Sequence, residues 1–238
     1  MSQLEIGLST SSMSFTLGHA GRGSSRVNAS PMSIQEFIEF ASENEYGGVE
    51  IPFQRFYPSL GRDELDNARD ELKSRGFYSL VDSDKSCDLP QIRALIPVAI
   101  AMRSKIIRIK TSGVLSCNRK QLPYSWSDHV MNIINALKEI ATEIRAAGLK
   151  IAVENHQDVD SRDLLRIIDE VGDDVVGVNF DIGNAFATFE DPLAFAHRVG
   201  SRIINIHLKD YKIFRSNQGY RLARCAIGDG AVDFGSLF

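Results

Sequence analysis

Three short segments carry the residues from which chemistry could be built. Ile151-Ala-Val-Glu154-Asn-His156, Val178-Asn-Phe-Asp181-Ile-Gly-Asn184 and Ile203-Ile-Asn-Ile-His207-Leu-Lys209-Asp210 each place an acid or an imidazole directly after an apolar run. A carboxylate at such a point is drawn out of water, so it must be paired, protonated or coordinated. Glu154, Asp181 and His207 form a mixed oxygen and nitrogen set. It suits a divalent cation, Mn²⁺ foremost, with Mg²⁺, Co²⁺ or Zn²⁺ as alternatives; the lack of sulfur disfavours a structural zinc site. Each residue alone has a plainer reading. Glu154 would serve as a strand-end ion-pair partner, Asp181 as a helix cap and His207 as a satisfied core histidine. Three such residues at equivalent, successive positions favour a metal site.

The elements that must position them follow from periodicity. Ile6–Ser9, Gly48–Ile51, Tyr78–Val81, Ile106–Ile109, Lys150–Glu154, Gly177–Asp181 and Ile203–His207 are short runs rich in Val and Ile. They read as strands buried on both faces. Between them lie helical patterns: Ser33–Asn44, opened by the capping box Ser33-Ile-Gln-Glu36; Asp63–Ser74; Leu89–Arg103, where Pro97 predicts a kink or break; Ser127–Ala147; Ser161–Val171; and Pro192–Val199. Regular alternation of strand and helix predicts a parallel sheet with helices outside. We expect one domain over residues 1–238, a (β/α)₈ TIM barrel, in which functional groups gather at the carboxyl ends of the strands. A doubly wound open sheet is the rival, disfavoured because no Gly-rich phosphate turn follows the first strand. The Gly18–Ser25 segment reads as a long mobile loop over the barrel mouth.

Bulk properties bound the function. The 238 residues carry 27 basic and 31 acidic side chains, a net charge of −4 that argues against a nucleic-acid or anionic-membrane surface. Cys87, Cys117 and Cys225 are odd in number and widely spaced, which fits reduced thiols in the cytoplasm. The first ten residues lack the pattern of a signal peptide, and no apolar stretch reaches the ~20 residues that span a bilayer.

Four motifs then carry a family resemblance: Val153-Glu-Asn-His156, Phe180-Asp-Ile-Gly-Asn184, His207-Leu-Lys-Asp210 and Gly228-Asp-Gly230-Ala-Val-Asp-Phe234. In order and spacing the chain resembles the xylose isomerase-like TIM-barrel superfamily, and within it the sugar phosphate isomerase/epimerase branch. The resemblance implies that Glu154, Asp181 and His207 bind the metal. It also implies that Glu154 is the catalytic acid/base, acting on a carbon next to a metal-held carbonyl. In the family a glutamate ending an eighth strand is a fourth ligand. Here the sequence stops at Phe238, before such a strand, which suggests a truncated chain or closure by another one and places a two-base mechanism in doubt.

Further candidates flank this set. His156, of the same strand parity as Glu154, reads as a donor to a substrate hydroxyl. Asn184 follows Gly183, whose small size allows a tight turn, and either contacts substrate or serves the turn. Lys209 shares parity with His207 and either meets a substrate oxygen or forms an ion pair. Arg224 precedes the Gly228–Gly230 turn and is a substrate-binding candidate. Glu50 and Lys110 end earlier strands. Asp210 caps or pairs its own segment, and His19, His129 and His197 read as surface residues. The leading function is metal-dependent isomerisation or epimerisation of a sugar or sugar derivative. A dehydratase of a keto-inositol or dehydroshikimate type is the second reading. A zinc-cluster DNA-repair endonuclease of the same barrel type is disfavoured by five histidines in all and by the acidic balance. A non-catalytic barrel with an incomplete metal site is the last. The expected partner is a small sugar or polyol-derived molecule, with homo-oligomerisation left open.

Overall fold

The structure, a computed structural model, describes residues 5–20, 25–57 and 59–238. The middle of the Gly/Ser-rich segment, 21–24, lies outside the described residues, so the mobile loop expected there is not addressed. Two compact units emerge, Met1–Asp84 with Arg93–Ile107, and Lys85–Ile92 with Arg108–Phe238.

In the first unit, β1 (Gly7–Ser9) leads to α1 (Ile34–Glu43), β2 (Gly48–Ile51), the single turn α2 (Phe53–Phe56), α3 (Arg62–Ser74) and β3 (Tyr78–Ser86). Helix α1 starts where expected: the Ser33 hydroxyl accepts from the Glu36 amide, and Glu36 accepts from the Ser33 amide at 2.7 Å. Its Ile34, Phe37, Ile38 and Ala41 are buried at helical spacing. β1, β2 and β3 pair in parallel, with Gly7 opposite Gly48 and Gly48 opposite Tyr78. β3 runs five residues past the apolar core of its sequence, because Asp82 and Ser83 are buried and stay extended. Helix α4 (Leu89–Ala101) and strand β4 (Ile106–Lys110) each cross from one unit to the other. Helix α4 continues through Pro97, so of the expected kink or break the break does not occur.

The second unit holds the remainder: α5 (Trp126–Ala146), β5 (Lys150–Glu154), α6 (Ser161–Val171), β6 (Val176–Asp181), α7 (Pro192–Val199), β7 (Ile203–His207), the antiparallel hairpin β8–β9 (Asp210–Ser216 and Gly219–Cys225) and α8 (Phe234–Leu237). The α5 stripe Val130, Ile133, Ile134, Leu137, Ile140, Ala141 and Ile144 is buried as its spacing requires. His129 lies on the same buried side, which corrects its reading as a surface residue: its ring stacks with Tyr124 and packs on Trp126. β6 and α7 meet through Phe180 and Phe195, whose stacked rings lie 4.8 Å apart.

The strands of the larger sheet follow one another in chain order, β1 through β7. A doubly wound sheet reverses strand order at a switch point, so this order excludes the rival topology. Among the described residues no eighth strand joins this sheet.

The hairpin was not anticipated. After Lys209 the chain does not enter a helix, because the Asp210 carboxylate, 1% exposed, gathers the backbone around itself. It accepts from the amides of Tyr211 (2.8 Å), Gly228 (3.1 Å), Gly230 (2.9 Å) and Val232 (3.2 Å). A Cβ at Gly230 would sit 2.1 Å from Asp210 Oδ1, so only glycine permits the approach. Burial pushes this carboxyl up, but the four amides outweigh burial and hold it below the usual range.

Asp210→Ala leaves those amides unsatisfied and should cost about 2–4 kcal/mol, lowering the melting temperature by roughly 5–10 °C. The folded-state pKa lies below the unfolded value of about 3.9, so the stabilisation is complete above that pH and lost as pH falls through the folded value. Urea melts across the acid range should therefore show stability rising with pH, and Asp210→Asn should flatten that slope.

Candidate metal centre

Parallel pairing brings the polar strand ends into phase. Glu154 stands opposite Asn179, Asn179 opposite Asn205, and Asp181 opposite His207. Residues two apart on a strand share a face, so Glu154, Asn179, Asp181, Asn205 and His207 share one side of the sheet. A register bulge between Val178 and Asn179 sets this alignment of β6 with β7. Asn155 fixes the β5–β6 end: its side chain donates to the Asp181 carbonyl at 3.0 Å and accepts from the Asp181 amide at 2.7 Å. That side-chain clip extends the ladder where β5 stops.

The three residues expected to gather do so. One ligand atom from each of Glu154, Asp181 and His207 lies within 4.8 Å of the others. Glu154 and Asp181 are 3% and 1% exposed, and His207 is half-buried. Nδ1 of His207 is 3.9 Å from Oδ2 of Asp181, and the Asn179 side-chain amide approaches the same ring nitrogen at 3.3 Å. Asn205 donates to the Asn179 carbonyl oxygen, which fixes the orientation of that amide.

Each carboxylate is held by a cation. Nη1 of Arg108, on β4, lies 2.9 Å from Oε2 of Glu154, with both side chains almost fully buried. Nζ of Lys209 donates to Oδ2 of Asp181 and, at 3.2 Å, to Oδ1 of Asn184. Nδ2 of Asn184 in turn lies 3.5 Å from Oε1 of Glu154. The Asn184–Lys209 contact depends on Gly183, where a Cβ would come 2.9 Å from the Lys209 carbonyl and 2.9 Å from the Tyr211 ring.

The two carboxyls are pushed in opposite directions. Burial raises Glu154, but Arg108, and after it His207, His156 and Lys209, hold it below the usual carboxylate range. Burial dominates at Asp181 and, with the nearby Glu154 charge, outweighs Lys209, raising it to about 6. Oδ1 of Asp181 is buried without a hydrogen-bond partner. A buried acceptor left open beside a second carboxylate and an imidazole fits a cation of the hard or borderline class.

The remaining candidates divide. Asn184 and Lys209 belong to the cluster. His156 is half-buried just past β5; its Nδ1 has no hydrogen-bond partner, and burial draws its pKa down against the pull of Glu154. Lys110 bears on His156 through its charge. Arg224 is exposed on β9, opposite Tyr211, and makes no contact with the triad among the described residues. Glu50 lies in the first unit, where the Ser9 hydroxyl donates to it at 3.3 Å. His197 is exposed on α7, as expected, and His19 is half-buried with its ring edge-on to Phe56. Arg108, Asn155 and Asn179 were missed. For Arg108 the signal was present: a lone cation inside the apolar run Ile106-Ile-Arg-Ile109 needs a buried anion.

Comparison with known proteins identifies the family. A family model described as the xylose isomerase-like TIM barrel matches residues 38–238. The chain belongs to the xylose isomerase-like TIM-barrel family. The proteins it is similar to have different reactions in their names. It is 23% identical, over 98% of its length and 79% of the relative's, to a 3-oxo-isoapionate decarboxylase of Pectobacterium atrosepticum. It is similar in fold to the probable 3-DHS dehydratase AsbF of Bacillus anthracis (TM-score 0.72, 14% identity, 98% of this chain and 87% of that one). It is also similar in fold to the 3-keto-D-glucoside 4-epimerase YcjR of E. coli (TM-score 0.69, 16% identity, 99% and 86%). Among the described residues no helix is long and apolar enough to cross a membrane.

The Arg108–Glu154 pair generates a direct test. Arg108→Met leaves a buried carboxylate without its cation and should cost about 3–5 kcal/mol. The double variant Arg108→Met/Glu154→Met removes both charges and should recover most of that loss, as read from denaturant midpoints.

Proposed function

We propose that this chain is a metal-dependent isomerase or epimerase of a sugar or sugar derivative, working by proton transfer next to a carbonyl. The observation that carries the reading is the convergence of Glu154, Asp181 and His207 within 4.8 Å. Glu154, Asp181 and His207 would hold the ion, which when bound supplies Lewis-acid polarisation of a substrate carbonyl. Manganese is the ion we would test first.

The chain's own residues supply the rest. Arg108 holds Oε2 of Glu154, which leaves Oε1, with Asn184 at 3.5 Å, as the atom to take and return a proton. His156 is kept neutral at pH 7 by burial, so one ring nitrogen can donate to a substrate hydroxyl while the other accepts. Lys209 offers a cation to a substrate oxygen without leaving Asn184. Arg224, exposed on the hairpin, would reach substrate only from the outside. A dehydratase on the same frame is the second reading. It is favoured by the fold shared with a probable dehydratase.

Wild-type protein loaded with Mn²⁺ and dialysed should retain about one ion per chain, and Asp181→Asn should lose most of it, by elemental analysis. In D₂O, ketoses and cyclic ketoses should gain deuterium next to the carbonyl with the wild type and not with Glu154→Gln. An enone absorbance in place of exchange would select the dehydratase. A wild type that retains no divalent ion would remove the proposal.

A further inference from the structure

One cation beside the candidate metal centre has no anion. Lys110 ends β4, two residues beyond Arg108, so the two side chains leave the strand on one face. Arg108 meets Glu154 from that face, which sets Lys110 on the same side of the sheet as the triad. The lysine is half-buried, and among the described residues it makes no ion pair and no hydrogen bond. A cation drawn partly out of water without a counter-charge is costly.

The neighbouring strand offers a second open group. His156 lies just past β5, which is next to β4 in the sheet, and its Nδ1 is buried without a hydrogen-bond partner. Lys110 stands close enough for its charge to act on this ring. The acids around His156 are already engaged. Oε2 of Glu154 is held by Arg108. Asp158, fully buried, accepts from the Thr111 and Ser112 hydroxyls and from the Val159 amide at 3.0 Å. An ammonium and an imidazole N–H are two donors, which matches the two oxygens of a carboxylate. A phosphate asks for more, and the backbone amides of the adjoining loops are spent. Val114 donates to the Ser112 hydroxyl, and Ser116 and Cys117 donate to Gln157.

We propose that the substrate is a keto sugar acid whose carboxylate sits between Lys110 and His156, on the same reading of Glu154, Asp181 and His207 as the metal site. Two residues along a strand span about 7 Å. Lys110 and His156 each stand one such step beyond Arg108 and Glu154. The carboxylate therefore belongs at the end of the molecule remote from the metal-held carbonyl. The oxygen to which the His156 ring donates is then one of the carboxylate's own. Lys110 is the residue that separates a sugar acid from a neutral sugar, through a charge-assisted hydrogen bond.

Calorimetric titration of the full chain loaded with Mn²⁺ tests this with a matched pair of ligands. 5-Keto-D-gluconate is L-sorbose with the alcohol farthest from its carbonyl oxidised to a carboxylate. The wild type should bind the acid at least about tenfold more tightly than the ketose. Lys110→Met should bring the two ligands level, and Lys110→Arg should keep most of the preference. Both variants should retain the ion, by elemental analysis. A wild type with no preference, or one that binds neither ligand, would overturn the proposal. So would a preference that survives Lys110→Met, because the carboxylate would then sit on the ion or on Lys209. Tighter binding of D-fructose 6-phosphate than of 5-keto-D-gluconate would overturn it in favour of a phosphate. Failure of the metal reading shows separately: a chain that holds no Mn²⁺ but keeps a preference dependent on Lys110 has the carboxylate seat without the ion.

Discussion

Two carboxylates buried side by side set the terms for the second unit. Glu154 and Asp181 end neighbouring strands, and water reaches neither to any extent. An uncompensated pair of this kind would be too costly to fold around. Arg108 on β4 and Lys209 beyond β7 supply the compensation, so four successive strands are tied together by charge at one end. The amides of Asn155, Asn179, Asn184 and Asn205 occupy the remaining positions around them, each fixed by a backbone or side-chain partner. Rigid placement of this kind is what a ligand set requires, because an error of an ångström at any donor removes the benefit of the others.

Register is the means by which the chain achieves it. A slip of one residue in β6 would turn Asn179 and Asp181 to the opposite face and bury a different set. Hydrophobic patterning alone does not prevent that slip, since β6 is buried on both faces. The polar contacts do: Asn155 bonds to both backbone groups of Asp181, and Asp181 is paired across to His207. Beyond β7, Asp210 performs the same service for the next segment by collecting four amides, two of them from glycines. The polar residues at the strand ends therefore specify the alignment as well as the chemistry.

The sequence was most legible where one period dominates. The seven parallel strands and six longer helices follow from apolar runs and stripes, and the Ser33 capping box and the Asp181 and His207 strand ends lie where their residue types require. It was least legible where two signals compete. Pro97 argues for a break, but the apolar residues on either side of it, such as Leu95 and Val98, are buried and hold the helix together. His129 looks like a surface residue because it has no motif partner; its ring is buried by the stacking of Tyr124 and Trp126, which are local neighbours. The hairpin alternates Tyr211, Ile213, Tyr220 and Leu222 with cations around an Asn-Gln-Gly turn. That period-two signal is readable but masked by proximity to the His207-Leu-Lys-Asp210 motif. Arg108 shows the general reason: its meaning rests on Glu154, 46 residues away, and no local window contains both.

The same cluster differs from a fully paired salt-bridge network at one atom. In a network built for stability most buried acceptors find a donor, because an orphaned one forfeits the benefit of the pair. Here Lys209 takes Oδ2 of Asp181, and among the described residues nothing donates to Oδ1. A proton on that oxygen would pair it with a neighbouring acceptor, but with its pKa raised to about 6 Asp181 is mostly ionised at neutral pH. The open oxygen lies in a set of three ligand atoms, from Glu154, Asp181 and His207, that come within 4.8 Å of one another, a spacing into which a single cation would fit.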